Sequence, residues 1–224
     1  MRPHTTEHPS PRRPDREERR APKRLAFRRS LTAVLALLIA GQCVFAARTL
    51  AVERDPAPDS AITADLRSPY GAVVVALTGD RPEVAIRILP DSFARHLHYR
   101  PRLSAGRPVN PRGDCSSPVP LPRRFTDLCR THDFGYDILR AAAADGRPLG
   151  GWARRALDQM LVEQMYASCT NPFCGAAAAA ADLGLSWNTW RQRSGVPVPR
   201  ETSWQLVTTT AQRALIDPLI GVGA

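Results

Sequence analysis

The chain has 224 residues, of which 43% are hydrophobic, 6% aromatic and 21 are proline, and it carries a net charge of +10. That is enough apolar material for one compact domain of roughly 100–150 residues with extensions, and the proline excess over aromatics points to long irregular segments. The charge is uneven: residues 1–47 hold ten Lys/Arg against four Asp/Glu, and the remaining 177 hold 21 against 17. No basic stripe with interleaved aromatics occurs, which excludes a nucleic-acid surface. The mild basicity of the larger part suits an anionic lipid surface no better than it suits ordinary solubility.

Residues 1–30 are rich in Pro, Arg and Glu and hold almost nothing apolar before Leu25, so no core can form there and disorder is expected. Leu31 to Ala47 then carries no charge and follows Arg28-Arg29. A basic flank before an apolar run is the layout of a signal peptide or an uncleaved membrane anchor. The run is at the short limit for a bilayer span, and Val44-Phe45-Ala46 offers a small-residue cleavage site. Cys43 reads as a buried cysteine of that segment. Either way the basic leader stays inside, and the rest is exported to the extracellular space or the outer face of the membrane. Residues 48–70 form a polar linker, 71–194 the folded domain, with its core at 110–192, and 195–224 a C-terminal extension.

Within the domain, Tyr70 to Leu77 is a β-prone run, and Glu83 to Leu89 either pairs with it as a hairpin or forms a helical turn. Asp91 is placed to cap a short helix over Ser92 to His98. His96 and His98, two apart on that helix, diverge and read as surface or packing residues. Residues 99–124 show no periodicity and read as a long loop. Inside it, Gly113-Asp114-Cys115 is a turn able to hold a cation through carbonyls and a carboxylate, or simply a solvated turn.

Arg123 to Ala144 reads as an amphipathic helix, with Leu128, His132 and Tyr136 on one stripe, closed by Asp145-Gly146. Successive helical residues point about 100° apart. His132 and Asp133 therefore serve different tasks, one facing a substrate and one a metal beside it. A His on an apolar face is also a common satisfied core residue. Trp152 to Ser168 is a second helix, and the short connection makes the two antiparallel. Asp158, midway down it among apolar neighbours, should be paired or exposed. Paired with His132, it would set the ring's tautomer and stabilise the imidazolium. Together these residues read as a calcium-assisted ester hydrolase. Gly175 to Arg193 reads as a third helix, with Trp187 and Trp190 packing on the core or one of them meeting a membrane interface. Trp204 to Ile216 reads as a fourth, amphipathic helix.

Four cysteines remain after export: Cys115, Cys129, Cys169 and Cys174. Two disulfides are expected, from three connectivities. Cys169–Cys174 would close a small loop, and Cys115–Cys129 would fasten the Asp114 loop three residues before His132. No Cys-x-x-Cys occurs, which weighs against zinc in an oxidising compartment.

The string Cys129-x-x-His132-Asp133-Phe134-Gly135-Tyr136 resembles the active-site helix of phospholipase A2, in particular its small secreted bacterial and fungal group. An upstream Asp/Cys loop, an Asp eleven residues before a Cys (Asp158 and Cys169), a short disulfide loop and a Trp-bearing helix extend the likeness over about residues 110–192. The resemblance implies a mainly α, disulfide-stabilised domain in which two antiparallel core helices carry the active site. His132 would be the general base at the sn-2 ester of a glycerophospholipid, Asp158 would orient it, and Asp133 would ligate Ca2+. Asp114, with the backbone oxygen of Cys115 or Gly113, would complete the calcium ligands, although the family spaces that Asp one residue further from the Cys. The implied partner is a phospholipid membrane or micelle surface, met by a monomer. The alternative is a catalytically impaired module of the cell envelope that binds lipid or a partner.

Overall fold

The computed structural model describes residues 59–117 and 120–217. The expected leader, the apolar stretch 31–47 with Cys43, residues 48–58 of the expected linker and the last residues of the extension lie outside them. The described part is mainly helical and carries two disulfides. None of its helices is long and apolar enough to cross a membrane.

Helix α1 (Asp59–Arg67) leads into α2 (Pro69–Thr78). The β-prone run at Tyr70 to Leu77 is therefore helical, a correction with two physical causes. Ser68 caps the helix, its Oγ accepting from the Gly71 amide at 3.0 Å, and Pro69 sits in the first turn, where its missing N–H costs nothing. Tyr70, Val73, Val74 and Leu77 then fall on one buried helical face, so tertiary burial overrides the strand preference of the valines. The next segment takes the helical-turn alternative, α3 (Val84–Arg87).

Helix α4 (Ser92–Leu97) follows, but Asp91 makes no capping bond, contrary to expectation. Ser92 and His96 instead both reach Asp145 at the end of the long helix, each at 2.6 Å. These two hydrogen bonds hold the Asp145 carboxyl below its ordinary range. A depressed carboxyl pKa contributes stability above its unfolded value of about 3.9, lost as pH falls through the lower folded value. Asp145→Asn should thus lower the urea midpoint at neutral pH and converge with the wild type in acid, as denaturation across pH would show.

The region read as one long loop contains a hairpin, β1 (Arg102–Ser104) with β2 (Arg107–Val109), antiparallel with Leu103 opposite Pro108. Ala105 and Gly106 join them, both at positive φ, the two-residue turn that suits strand twist. Three-residue strands are too short to show an alternating pattern, which hid them in the sequence.

A 3-10 turn (Arg123–Phe125) opens α5 (Thr126–Ala144), which α6 (Gly151–Ser168), α7 (Pro172–Arg191) and α8 (Ser203–Ala211) follow, the last continued by a π-helical turn (Gln212–Ile216). Two apolar clusters flank the middle of α5. One joins α2, Phe93, Phe134, Ile138, Leu157 and Met160; the other joins Phe125, Cys129, Leu161, Met165, Cys174 and Ala178. His132 lies in sequence between Cys129 of one cluster and Phe134 of the other. Close approach of α5 and α6 depends on Gly135, where an added Cβ would stand 2.4 Å from Leu157 Cδ2. Leu157 is fully buried and has no room to retreat. Gly135→Ala is expected to be net destabilising: overpacking of about 1–3 kcal/mol outweighs a helix-propensity gain of about 1 kcal/mol. A urea melt at neutral pH checks this.

Candidate functional site

Two disulfides frame the site. Cys115–Cys129 ties the 110–117 loop to α5, and Cys169–Cys174 closes the turn between α6 and α7. Both are pairings the sequence suggested.

His132 and Asp158 come together. The ring Nε2 lies 2.8 Å from Asp158 Oδ1, and both residues are buried. Tyr136, one turn beyond His132, donates its hydroxyl to the same oxygen at 2.7 Å, and its ring centroid is 4.1 Å from the imidazole's. Thr189 of α7 donates to the other oxygen, Oδ2, at 2.5 Å. Burial, and then the Asp158 charge, push the Tyr136 hydroxyl far above its usual range, so it stays protonated and remains a donor. A carboxylate only accepts, so Nε2 of His132 carries the hydrogen, and in the neutral ring Nδ1 keeps the lone pair.

Behind this pair stands a group the sequence reading missed. Arg154 is fully buried on α6. Its Nε donates to Thr189 Oγ1 at 2.9 Å, and its Nη1 donates to Gln192 Oε1 at 2.8 Å and to the Gly195 carbonyl at 2.9 Å. Among the described residues its Nη2 has no hydrogen-bond acceptor, and the guanidinium lies over the Tyr136 ring, 5.1 Å from the centroid. A signal existed, since Arg154 is one helical turn before Asp158 among apolar residues. Thr189, between two tryptophans, gave none.

Asp133, next to His132, meets the loop rather than Asp158. Its Oδ2 accepts from the Asp114 amide at 3.0 Å. Gly113 is pressed against the same carboxylate: a Cβ there would lie 2.5 Å from Oδ2. Burial raises the Asp133 carboxyl above its ordinary value, offset in part by His132 and the Asp114 amide. Among the described residues Asp133 forms no ion pair. The Asp114 carboxylate turns back, Oδ1 accepting from the Cys115 amide at 2.8 Å. The Cys115 carbonyl accepts from the Ser117 amide at 3.0 Å, and the Gly113 carbonyl from Arg130 Nε at 3.1 Å. Among the described residues no three His, Cys, Asp or Glu side chains cluster as a metal site.

The loop is held on α5 by a second buried carboxylate, also missed in the sequence. Asp137 Oδ2 accepts from the Tyr99 hydroxyl at 2.7 Å and from Asn110 Nδ2 at 2.9 Å, while Oδ1 takes Arg140 Nη1 at 2.6 Å. The Asn110 amide also donates to the Arg130 carbonyl at 2.9 Å. Asp133 and Asp137 are one helical turn apart, so one anchors the start of the loop while the other meets its middle. His96 and His98 are remote from this arrangement in their bonding, with His96 committed to Asp145. Trp187 is half-buried and stacks under the Arg191 guanidinium at 5.2 Å, which gives it a packing role. Set against protein-family models, curated proteins and solved structures, the chain matches none, and the site is read from its own geometry.

Proposed function

We propose that the chain is an exported, calcium-dependent hydrolase of the phospholipase A2 kind, cleaving the sn-2 ester of glycerophospholipids at a membrane or micelle surface. In this reading α5 and α6 are the two antiparallel core helices, acting in a monomer. The observation that carries it is the buried His132–Asp158 bond, made by the His of the Cys-x-x-His-Asp-x-Gly-Tyr string. Asp158 is fixed by Tyr136 and Thr189, so the imidazole is held with Nε2 toward the carboxylate and Nδ1 left as the base. Nδ1 takes a proton from a water as that water attacks the ester carbonyl, and the imidazolium returns it to the leaving alkoxide. Asp158 balances the charge on the ring during the interval.

The residues beside the dyad are chemically suited to a hard cation. Asp133 is a half-buried carboxylate with no ion pair among the described residues, the state in which a carboxylate gains most from a cation. Asp133, Asp114 and the Cys115 carbonyl would hold Ca2+, since a carbonyl that accepts one hydrogen bond keeps a second lone pair. When bound, the ion supplies Lewis-acid polarisation of the ester carbonyl. The two disulfides suit an oxidising compartment outside the cytoplasm.

One observation favours a second reading, a lipid- or partner-binding module of the cell envelope with impaired catalysis. Four of the oxygens offered to calcium are already engaged: Gly113 O by Arg130, Asp114 Oδ1 by the Cys115 amide, the Cys115 carbonyl by the Ser117 amide and Asp133 Oδ2 by the Asp114 amide. Fatty-acid release from phospholipid vesicles, with added calcium and with chelator, separates the readings. The hydrolase releases fatty acid in calcium and loses that activity in chelator, whereas silence in both conditions leaves the binding module.

A further inference from the structure

We infer that α8 and the turn after it are the element by which this protein enters the interfacial region of an anionic phospholipid bilayer. The inference rests on the phospholipid reading above only for the nature of the partner. Of twelve large hydrophobic residues exposed among the described residues, five fall between 198 and 216: Val198, Trp204, Val207, Leu215 and Ile216. That concentration makes a patch, where scattered single residues would need no explanation. Trp204, Val207, Ala211 and Leu215 recur at intervals of three, four and four, the period of a helix face. All four are exposed, and no residue from Ser203 to Ile216 is buried. Trp204 is 74% exposed.

The helix has its own start signal at the end away from Thr209, which accepts from the buried Arg191 at 2.7 Å. Thr202 and Gln205 close a capping box, Thr202 Oγ1 accepting from the Gln205 amide at 3.2 Å and Gln205 Oε1 accepting from the Thr202 amide at 2.7 Å. Three of its hydroxyls are also bonded within the helix. The hydroxyls of Thr208, Thr209 and Thr210 donate back to the carbonyls of Trp204, Gln205 and Leu206 at 3.0, 2.6 and 2.6 Å. A threonine so bonded leaves no donor needing water.

Charge selects the occupant. No Asp or Glu lies between Thr202 and Ile216. The two flanking acids are withdrawn: Glu201 pairs with the buried Arg191 and is 11% exposed, and Asp217 pairs with Arg193 and Arg213 and is 1% exposed. What remains outward is Arg200, which is exposed, while Arg193 is half in solvent but already paired with Asp217. An apolar stripe with a tryptophan, edged by the exposed Arg200 and free of exposed acids, suits an interfacial helix on anionic lipid.

The test uses the full chain and vesicles of phosphatidylglycerol with bromine-labelled acyl chains, which quench nearby tryptophan. Comparing wild type with Trp204→Phe isolates the Trp204 emission. Quenching of that component, weakened when phosphatidylcholine replaces the anionic lipid, is the expected result. Equal fractional quenching in wild type and Trp204→Phe would overturn the inference, as would a dimer in vesicle-free solution that Trp204→Ser dissociates. In kinetics, Trp204→Ser with Leu215→Ser should lower hydrolysis of phosphatidylglycerol vesicles by about tenfold or more. Hydrolysis of a short-chain phospholipid below its micelle concentration should be unchanged. If neither substrate is cleaved by the wild type, the hydrolase reading fails, and quenching still decides the docking helix.

Discussion

His132→Gln is expected to lower fatty-acid release about a thousandfold, within the range a positioned general base contributes, while leaving the domain folded. The glutamine amide reaches the position of Nε2 and can still donate to Asp158, so the carboxylate keeps a third hydrogen bond beside those from Tyr136 and Thr189. What it cannot do is accept a proton from water. Asp158→Asn probes the same device from the other side. Its amide nitrogen offers a hydrogen to Nε2, which must then accept, so the ring proton moves to Nδ1 and the base is blocked. A loss of about a hundredfold or more is expected from this tautomer exchange alone, with the melting temperature little changed. Rates measured under calcium saturation, with near-ultraviolet circular dichroism as the fold control, make the comparison. If the His132 variant keeps more than a tenth of the wild-type rate, His132 is not the base; if Asp158→Asn does, the carboxylate does not set the ring's tautomer.

The parts of this site that the sequence exposed were those written in local spacing. His132 and Asp158 sit on two long helices whose apolar periodicity is plain, and only six residues connect them. The cysteines were readable because their loops are short enough to close. Asp145-Gly146 marked a helix end that the structure has. What failed, failed where tertiary contacts decide. The valines of α2 prefer strands in isolation, yet the face they form with Tyr70 and Leu77 is buried only as a helix. The hairpin in 102–109 depends on two residues at positive φ, one of them an alanine that carries no sequence signal for it. Asp91 looked like a helix cap, but Ser92 and His96 are drawn to an acid 49 and more residues away. Thr189 and Asn110 reach Asp158 and Asp137 across 31 and 27 residues of chain, and no local pattern announces such bonds.

Arg154→Met is expected to destabilise the protein by about 3 kcal/mol, the largest stability effect at this site. Methionine restores much of the stem's volume, so the loss reports the guanidinium. Three acceptors lose the guanidinium together: Thr189 Oγ1, the Gly195 carbonyl, and Gln192 Oε1, which keeps only the Val198 amide at 3.3 Å. A buried acceptor without a partner costs about 1–3 kcal/mol, and Gly195, being exposed, recovers part of its share from water. Arg154→Lys should fall between, because an ammonium keeps the charge but not the fork that meets α7 and the segment after it at once. The activity loss should exceed what unfolding explains, since Thr189 is shared: it accepts from Arg154 and donates to Asp158. A double-mutant cycle of Arg154→Met with Thr189→Val isolates that link, and a coupling of about 1 kcal/mol is expected for residues in one hydrogen-bond network. Additive effects in the cycle, or an Arg154→Met variant within about 0.5 kcal/mol of wild type, would mean that Asp158 is positioned without the cation behind it.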